Sequence, residues 1–183
     1  MATIHVLDET TINKIAAGEV VERPASVIKE LIENSIDASA TNIEVEIGDG
    51  GVAYMRITDN GIGMTEEDAR LAILRHATSK IQQVEDLFDI ASLGFRGEAL
   101  ASIASVSHFS LTTRKADSDL GTRITVDGGT FTDCIPYGAA PGTTIEIKDL
   151  FYNTPARRKF LKTERTESSK IQDIVGLSLI HIS

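Results

Sequence analysis

Residues 24–37 constrain the fold more than any other part of the chain, because their apolar side chains repeat with the period of an α-helix. At about 100° per residue, five aliphatic side chains occupy one continuous arc of the helical wheel: Val27, Ile28, Leu31, Ile32 and Ile36. Glu30, Asn34 and Asp37 gather in a separate narrow wedge. Proline is well tolerated in the first helical turn, so Pro24 indicates where the helix begins. The segment predicts an amphipathic helix with one core-facing side and one acidic side.

The acidic side of this helix lacks the cations that a solvated helix usually places three or four residues after an acid. Glu33 and Asn34 follow Glu30 at those positions, and Lys29 reaches Glu33 only in the weaker order. Taken alone, the pattern is compatible with a solvated polar face and with a ligand site.

The composition excludes several classes of protein. With 183 residues, of which 42% are hydrophobic and 25% are charged, the chain is suited to one globular domain. No run approaches the roughly 18 apolar residues of a membrane span, and residues 1–6 lack the pattern of a signal peptide. We therefore expect a soluble, cytoplasmic protein. The only cysteine, Cys134, allows no intrachain disulfide and is expected to be a buried apolar thiol rather than a nucleophile. The four histidines show no metal-binding spacing: His5, His76, His108 and His181.

Charge is distributed unevenly along the chain. The net charge of −9 opposes tight non-specific binding of nucleic acid by the whole domain. Residues 157–170 nevertheless carry six basic side chains against two acidic ones. A solvated helix and a patch that faces phosphates or nucleic acid are both possible interpretations of this basic run.

The order of predicted elements indicates one α/β layer structure without repeats or low-complexity linkers. A first helix is predicted over residues 10–17, closed by Gly18, and a third from the N-cap Thr65 to Leu74. Two alternating segments, 43–47 and one ending at Thr58, predict a hairpin joined by residues 48–51. Later strands are predicted at 109–114, 121–126, 130–135 and 143–147, with helices after Pro155 and around 168–175. Hairpins dominate, so we expect a two-layer sandwich: a mixed, largely antiparallel sheet with helices on one face.

A glycine-rich segment, residues 59–64, follows the second strand of the predicted hairpin. It presents the carboxylate of Asp59 at a strand end, beside Gly61 and Gly63, which allow a flat ligand to approach the backbone closely. A plain turn is the alternative, because Asp-Asn-Gly is common in turns. The chain has neither a Rossmann fingerprint nor a phosphate-binding loop of the P-loop type, so a nucleotide would have to bind by another scheme.

A second glycine-rich segment, residues 94–100, precedes a predicted helix. Glycines before a helix N-terminus form an anion cradle from backbone N–H groups, and Arg96 adds a positive charge; a tight packing loop is the alternative. Between the two segments, Thr78, Ser79 and Lys80 offer hydroxyls and an ammonium suited to phosphate oxygens. Residues 75–94 have weak core signals and resemble a lid that becomes ordered when a ligand binds.

In this order, the acidic helix and the two glycine segments resemble the GHKL ATPase superfamily, whose Bergerat fold holds ATP in a pocket on a mixed sheet. Within it, residues 15–24, 94–100 and 149–160 look like the MutL family of DNA mismatch-repair proteins, and matching runs extend from about residue 12 to 170. Type II topoisomerase ATPase domains, heat-shock chaperones and sensor histidine kinases share only the first two motifs, in looser form. A phosphotransferase of the histidine-kinase type lacks support because no phosphoacceptor helix precedes the domain.

The resemblance implies a role for each matching residue. Glu30 would be the general base that orients water towards the γ-phosphate, and Asn34 the Mg²⁺ ligand. One amide oxygen suffices, because Mg²⁺ takes few protein ligands and prefers waters and phosphate oxygens. Asp59 would accept a hydrogen bond from the adenine amino group, while Gly61 and Gly63 would shape the adenine pocket.

The resemblance also implies further ATP-binding residues. Thr143, after Gly142, would help to fix Asp59 or its bridging water, and Asp37 would cap or orient its neighbours. The residues expected around the phosphates are Thr78, Ser79, Lys80, Gly94, Phe95, Arg96, Gly97, Glu98, Ala99 and Leu100.

By this resemblance, we expect an ATPase domain over residues 1–175 and a tail over 176–183 that does not resemble the family. The family's second, lysine-bearing domain and its C-terminal dimerisation domain are not expected in this chain. The implied function is ATP binding and slow Mg²⁺-dependent hydrolysis, with ATP ordering the lid and promoting a homodimer that links mismatch-recognition and downstream repair proteins. DNA would be bound weakly near Arg157, Arg158 and Lys159, at the nucleoid, and no membrane is involved. The alternative is a DNA-binding or interaction module with little turnover of its own.

Overall fold

The computed structural model describes Asp8, Thr11, residues 21–74 and residues 99–179, with side chains to residue 176. The helices in these ranges are α1 (Pro24–Asp37), α2 (Glu66–Ile73), α3 (Ala99–Ser105), α4 (Pro155–Lys159) and α5 (Glu164–Leu179). The strands are β1 (Ile43–Gly48), β2 (Tyr54–Asp59), β3 (His108–Arg114), β4 (Gly121–Asp127), β5 (Thr130–Tyr137) and β6 (Gly142–Lys148). A single 3-10 turn, Asp49–Gly51, joins β1 to β2.

The six described strands form one sheet in the order β1-β2-β6-β3-β4-β5. The predicted two-layer α/β fold is confirmed. All described strand pairs are antiparallel, so the parallel pairing implied by a mixed sheet does not occur among them. The reason is topological: β1–β2 is a hairpin, β3–β4–β5 is a meander, and β6 returns between β2 and β3, antiparallel to both.

The helical prediction for residues 24–37 is confirmed, because α1 spans these residues with Pro24 in its first turn. Its predicted apolar arc is buried, as shown by Val27, Ile28, Leu31 and Ile32. Burial of a side chain of this size is worth about 1.5–3 kcal/mol. Helix α1 packs against β2 and α5.

Strand β3 shows how the sheet separates its two faces. Phe109, Leu111 and Thr113 are buried on the helix-facing side, whereas the alternating residues are only half-buried. Helices α2 and α3 contact β4 on this side, and α3 also contacts β3. The core therefore lies between one face of the sheet and the helices.

Strand β5 forms one edge of the sheet and is exposed along almost its whole length. Cys134 on this strand is half-buried, not buried as predicted, because an edge strand has a neighbour on one side only. Its Sγ lies 3.7 Å from Oε1 of Glu66, and partial burial raises the pKa of the Cys134 thiol above its ordinary value.

The remaining predicted elements lie close to those observed. Thr65 caps α2 by accepting a hydrogen bond from the amide of Asp68 at 3.1 Å, as predicted. Helix α5 begins earlier than predicted because Oε1 of the buried Glu167 accepts the amide hydrogen bond of Lys162 at 2.9 Å, which secures its first turn. Of the helix predicted at 10–17, only Thr11 lies within the described residues, and it is helical. No helix within the described ranges is long and apolar enough to span a membrane.

Candidate functional site

The carboxylate of Asp59 lies at the end of β2 and is held by two neutral donors. Its Oδ2 accepts a hydrogen bond from Oγ of Ser35 at 2.7 Å, and its Oδ1 accepts one from the backbone N of Gly61 at 2.9 Å. Among the described residues, Asp59 forms no ion pair. Two neutral donors thus fix the orientation of the carboxylate, which has lone pairs left for further donors.

Ser35 joins the acidic helix to this strand end. It is 3% exposed, and its Oγ also lies 3.1 Å from the carbonyl of Leu31, one turn earlier in α1. Because Asn34 directly precedes Ser35, and Glu30 lies one turn before Asn34, the bond to Asp59 brings the predicted acidic wedge to the same end of the sheet. Ser35 is not among the predicted site residues, since a single serine beside an asparagine in a helix carries no recognisable signal.

The predicted residues of the acidic wedge differ in their surroundings. Glu30 and Asn34 are half-buried, and Oε2 of Glu30 is shielded from solvent. Asp37, in the last turn of α1, is exposed. Within the described residues, no cluster of three His, Cys, Asp or Glu side chains could hold a metal ion. A metal at this end would therefore depend on few protein ligands.

The glycine segment after Asp59 packs against the residues that follow α1. The amide of Ile62 donates to the carbonyl of Ala38 at 2.9 Å, and Oδ1 of Asn60 accepts the amides of Thr41 and Asn42, each at 2.8 Å. These bonds fix the path of the segment relative to the acidic helix.

Glycine is required in this segment by the protein's own backbone. Gly63 has φ +68°, and a Cβ there would lie 2.0 Å from the carbonyl oxygen of Arg114. A Cβ at Gly61 would lie 2.7 Å from the carbonyl oxygen of Ala38. The two glycines therefore let the segment pack tightly between α1 and β3.

Thr143 lies opposite Asp59 in the register of β6 and β2. Its predicted role, to help fix Asp59 or a bridging water, stays a prediction. Oγ1 of Thr143 lies 2.9 Å from Oγ1 of Thr113 on β3, and Ser35 and Gly61 hold the carboxylate of Asp59. Thr113 is likewise not among the predicted site residues, because one threonine in an alternating strand carries no recognisable signal.

A sequence profile described as histidine kinase-, DNA gyrase B-, and HSP90-like ATPase matches residues 22–130, which include the acidic helix and the glycine segment. The chain belongs to this ATPase family. The predicted likeness to its MutL branch is confirmed by proteins named DNA mismatch repair protein MutL. The one from Caldanaerobacter subterraneus subsp. tengcongensis is 58% identical over 175 residues, which cover 96% of this chain and 30% of the relative. The chain thus spans less than a third of the length of this curated relative.

Solved structures confirm the GHKL fold. The MutL ATPase domain of Aquifex aeolicus complexed with ADP superposes with a TM-score of 0.65 at 38% identity, over 85% of this chain and 54% of that chain. The N-terminal domain of a DNA repair protein superposes with a TM-score of 0.74 at 30% identity, over 90% of this chain and 47% of that chain. The fold is therefore that of a nucleotide-binding ATPase domain of the GHKL family.

Most of the predicted phosphate-facing residues lie outside the described ranges. These are Thr78, Ser79, Lys80, Gly94, Phe95, Arg96, Gly97 and Glu98. Ala99, buried, and Leu100, half-buried, are the first described residues of α3 in this GHKL domain. The other end of α3 is anchored, because Nδ2 of Asn153 donates to the carbonyl of Ser105 at 2.9 Å.

The basic run of this GHKL domain divides into one anchored and several exposed cations. Nη1 of Arg157 donates to the carbonyl of Val21 at 2.8 Å, so this side chain holds α4 against the segment before α1. The exposed cations of the run are Arg158, Lys159, Lys162 and Arg165. Phe160, between them, is 83% exposed. A surface that binds an anionic partner would therefore be formed by the exposed cations and not by Arg157.

Proposed function

We propose that this chain, over residues 1–175, is an ATP-binding and slowly hydrolysing module of a DNA mismatch-repair protein. The observation that carries the proposal is the 2.7 Å hydrogen bond between Ser35 and Asp59, which holds a carboxylate acceptor beside the face of Glu30 and Asn34. Membership of the GHKL ATPase family supports it, as does the ADP complex of the Aquifex aeolicus MutL domain.

In this proposal, Asp59 recognises the base. Adenine carries an amino donor where guanine carries a carbonyl oxygen, so a fixed carboxylate attracts the first and repels the second. Within the described part of the chain, the two donors to Asp59 are a hydroxyl and a backbone amide, so no cation there competes with the adenine amino group for its charge. Gly61 and Gly63 set the shape of the pocket beside it.

Glu30 and Asn34 are proposed to act at the phosphate end. Glu30 orients and deprotonates the attacking water, and the shielding of its Oε2 from bulk solvent favours this role. The residue that would hold Mg²⁺ is Asn34: its half-buried side-chain oxygen is a hard ligand, and Mg²⁺ retains waters and phosphate oxygens for its other positions. When bound, Mg²⁺ supplies neutralisation of phosphate charge. The segments 78–80 and 94–100 are proposed to surround the phosphates.

At the level of the whole repair protein, we assign ATP the role of a switch. Binding would order residues 75–94 and promote pairing of two N-terminal domains, which signals from mismatch-recognition proteins to downstream repair proteins. These steps are proposed for a whole repair protein, and the chain covers 30% of a MutL relative.

The assignment of Glu30 and Asn34 is tested by Mg-ATP binding and phosphate release. Glu30→Ala is expected to bind ATP like the wild type and to release phosphate at least about 100-fold more slowly. Asn34→Ala is expected to lose the gain in ATP affinity that Mg²⁺ confers. Glu33→Ala, an acid on the same helix, is the matched control and should retain both properties. Unchanged turnover in Glu30→Ala would refute its role as base.

The exposed cations around Phe160 favour a second candidate function, weak DNA binding without ATP. Lys159→Glu should weaken salt-dependent binding of a DNA duplex by about 3- to 10-fold, because each phosphate contact releases counterions. Lys148→Glu makes the same charge change at an exposed site on β6 and should leave binding unchanged. Equal effects of the two substitutions would indicate a general charge effect and no specific surface. Arg157 is left intact in this test because it holds Val21.

A further inference from the structure

Thr113 places a buried hydroxyl where the strand pattern calls only for an apolar side chain. It is 1% exposed and lies on the helix-facing side of β3, in line with the core residues Phe109 and Leu111. Valine has nearly the same shape and no polar atom to desolvate. A threonine at this position therefore gains from its hydroxyl only through the bonds that this hydroxyl makes.

The hydroxyl of Thr113 contacts both segments that flank Asp59. It accepts a hydrogen bond from the backbone N of Met64 at 2.9 Å, at the end of the glycine segment. It also lies 2.9 Å from Oγ1 of Thr143 and 3.2 Å from the carbonyl oxygen of Gly142, at the start of β6. One side chain thus joins the glycine segment to the strand that pairs with β2.

The number of protons limits how these bonds can be arranged. A threonine hydroxyl has one proton and two lone pairs, and the amide of Met64 uses one lone pair of Thr113. If Thr113 donates to Gly142, then Thr143 must donate to Thr113 and can only accept from a ligand. If Thr113 donates to Thr143, the proton of Thr143 is free to be donated elsewhere. Rotation of one hydroxyl therefore decides whether Thr143 presents a donor or an acceptor beside Asp59.

We infer that Thr113 is a positioning residue for base recognition, which acts through Thr143 and through the backbone of Met64. This inference rests on the proposed nucleotide site at Asp59. The edge of adenine that carries the amino group also carries a ring-nitrogen acceptor, so a site with the fixed acceptor Asp59 and a hydroxyl that can donate next to it matches this edge. Guanine has the reverse pattern at these two positions. Thr113 thereby contributes to the preference for adenine without touching the base.

The matched pair for the test is Thr113→Val and Thr144→Val. Thr144 neighbours Thr143 on β6, points to the other face of the sheet, and pairs its hydroxyl with Thr58 at 3.4 Å, away from the glycine segment. Calorimetric titration of the 183-residue chain with ADP and with GDP is the measurement. Thr113→Val should weaken ADP binding by about tenfold and reduce the preference for ADP over GDP. An effect of this size corresponds to the loss of one to two hydrogen bonds. Thr144→Val should match the wild type in both.

Rescue by Thr113→Ser separates positioning from packing. The serine keeps the hydroxyl and loses the methyl group, so it should restore ADP affinity to within about twofold if the hydroxyl carries the effect. The inference is overturned if folded Thr113→Val binds ADP like the wild type, or if Thr113→Ser is as weak as Thr113→Val. A wild-type chain that binds no ADP would instead overturn the proposed function, and with it any role of Thr113 in recognition.

Amide exchange in the wild type gives a readout that needs no variant to fold. The amide of Met64 bonds to Thr113, so saturation with ADP should slow its hydrogen exchange if the two residues form one wall of the base site. The amide of Thr132 on the edge strand β5 is the reference and should not respond. If ADP binds and leaves the exchange of Met64 unchanged, Thr113 does not act on the base site through the glycine segment.

Discussion

The two ends of the sheet both carry polar clusters, but they satisfy their charges in different ways. At one end, Asp59 receives a hydroxyl and a backbone amide. At the other end, His108 lies between two carboxylates: Nδ1 bonds to Oδ1 of Asp127, and Nε2 is 3.8 Å from Oδ2 of Asp149. Tyr152 stacks on the imidazole at 4.1 Å between ring centroids and donates its hydroxyl to Asp127 at 3.1 Å.

Under the proposed function, this difference separates a binding cluster from a structural one. In the cluster around His108, the imidazole and the hydroxyl of Tyr152 both bond to Asp127, and the cluster joins β3, β4 and the segment after β6, so its groups stabilise the fold. The donors to Asp59 in the described part of the chain are neutral, and in the proposed function its charge faces the base. Substitutions at the Asp59 end should therefore change affinity more than stability, and substitutions at the His108 end should do the reverse.

The substitution with the largest expected effect, Gly142→Ala, disrupts the whole Asp59 end of the sheet. Gly142 has φ +124°, and a Cβ there would lie 2.0 Å from the carbonyl oxygen of Asp59. Gly142→Ala should therefore lower the free energy of unfolding by about 3 kcal/mol or more, from backbone strain and displacement of β2, and abolish ADP binding. Gly138→Ala is the control, because nothing lies within 4 Å of its Cβ position. Chemical denaturation measures both, and equal stabilities would show that β2 and β6 can separate without cost.

Asp59→Asn removes the charge and keeps the shape. The amide must place a nitrogen donor where a carboxylate oxygen accepted, so one of the three donors, Ser35, Gly61 or the base, loses its acceptor. ADP affinity should fall about 100-fold, near 2.7 kcal/mol, while the free energy of unfolding changes by less than about 1 kcal/mol. Asp127→Asn, the matched change at the other end, should lower stability and leave ADP affinity intact. Titration calorimetry measures the ADP affinity of both variants, and denaturation measures their stability. If Asp59→Asn and Asp127→Asn changed these two quantities in the same way, the proposed difference between the two ends of the sheet would be wrong.

Ser35→Ala tests whether the orientation of Asp59 matters as well as its presence. Loss of the 2.7 Å bond frees the carboxylate to rotate, so ADP affinity should fall about 3- to 10-fold with little change in stability. Ser107→Ala is a close control: Ser107 is also buried, and its Oγ lies 2.7 Å from the carbonyl oxygen of Ile103 four residues earlier, much as Oγ of Ser35 lies 3.1 Å from that of Leu31. Only Ser35 also bonds to a carboxylate. Equal ADP affinities of the two variants would mean that Gly61 alone orients Asp59.

The sequence predicted periodic elements well and long-range partners poorly. The bounds of α1 follow from local rules, namely proline in the first turn and a 3.6-residue repeat of apolar side chains. Asp59 and its glycines were identified as candidates because they form a compact local motif. Ser35 and Thr113 were missed, since each gains its role from a partner 24 or 49 positions away, Asp59 or Met64. A lone hydroxyl carries no periodic signal, and only the folded chain pairs it with a carboxylate or an amide.

The smallest expected effect lies at the His108 end. His108→Ala removes the group that links Asp127 to Asp149 and the ring that stacks on Tyr152. The imidazole and both carboxylates are partly exposed, so solvent screening limits the loss of stability to about 1 kcal/mol or less. ADP affinity should match that of the wild type, because His108 and Asp59 lie at opposite ends of their strands, which β6 separates in the sheet. If ADP affinity fell together with stability, the two clusters would be coupled through β6, and the separation of binding from structure drawn from their chemistry would be wrong.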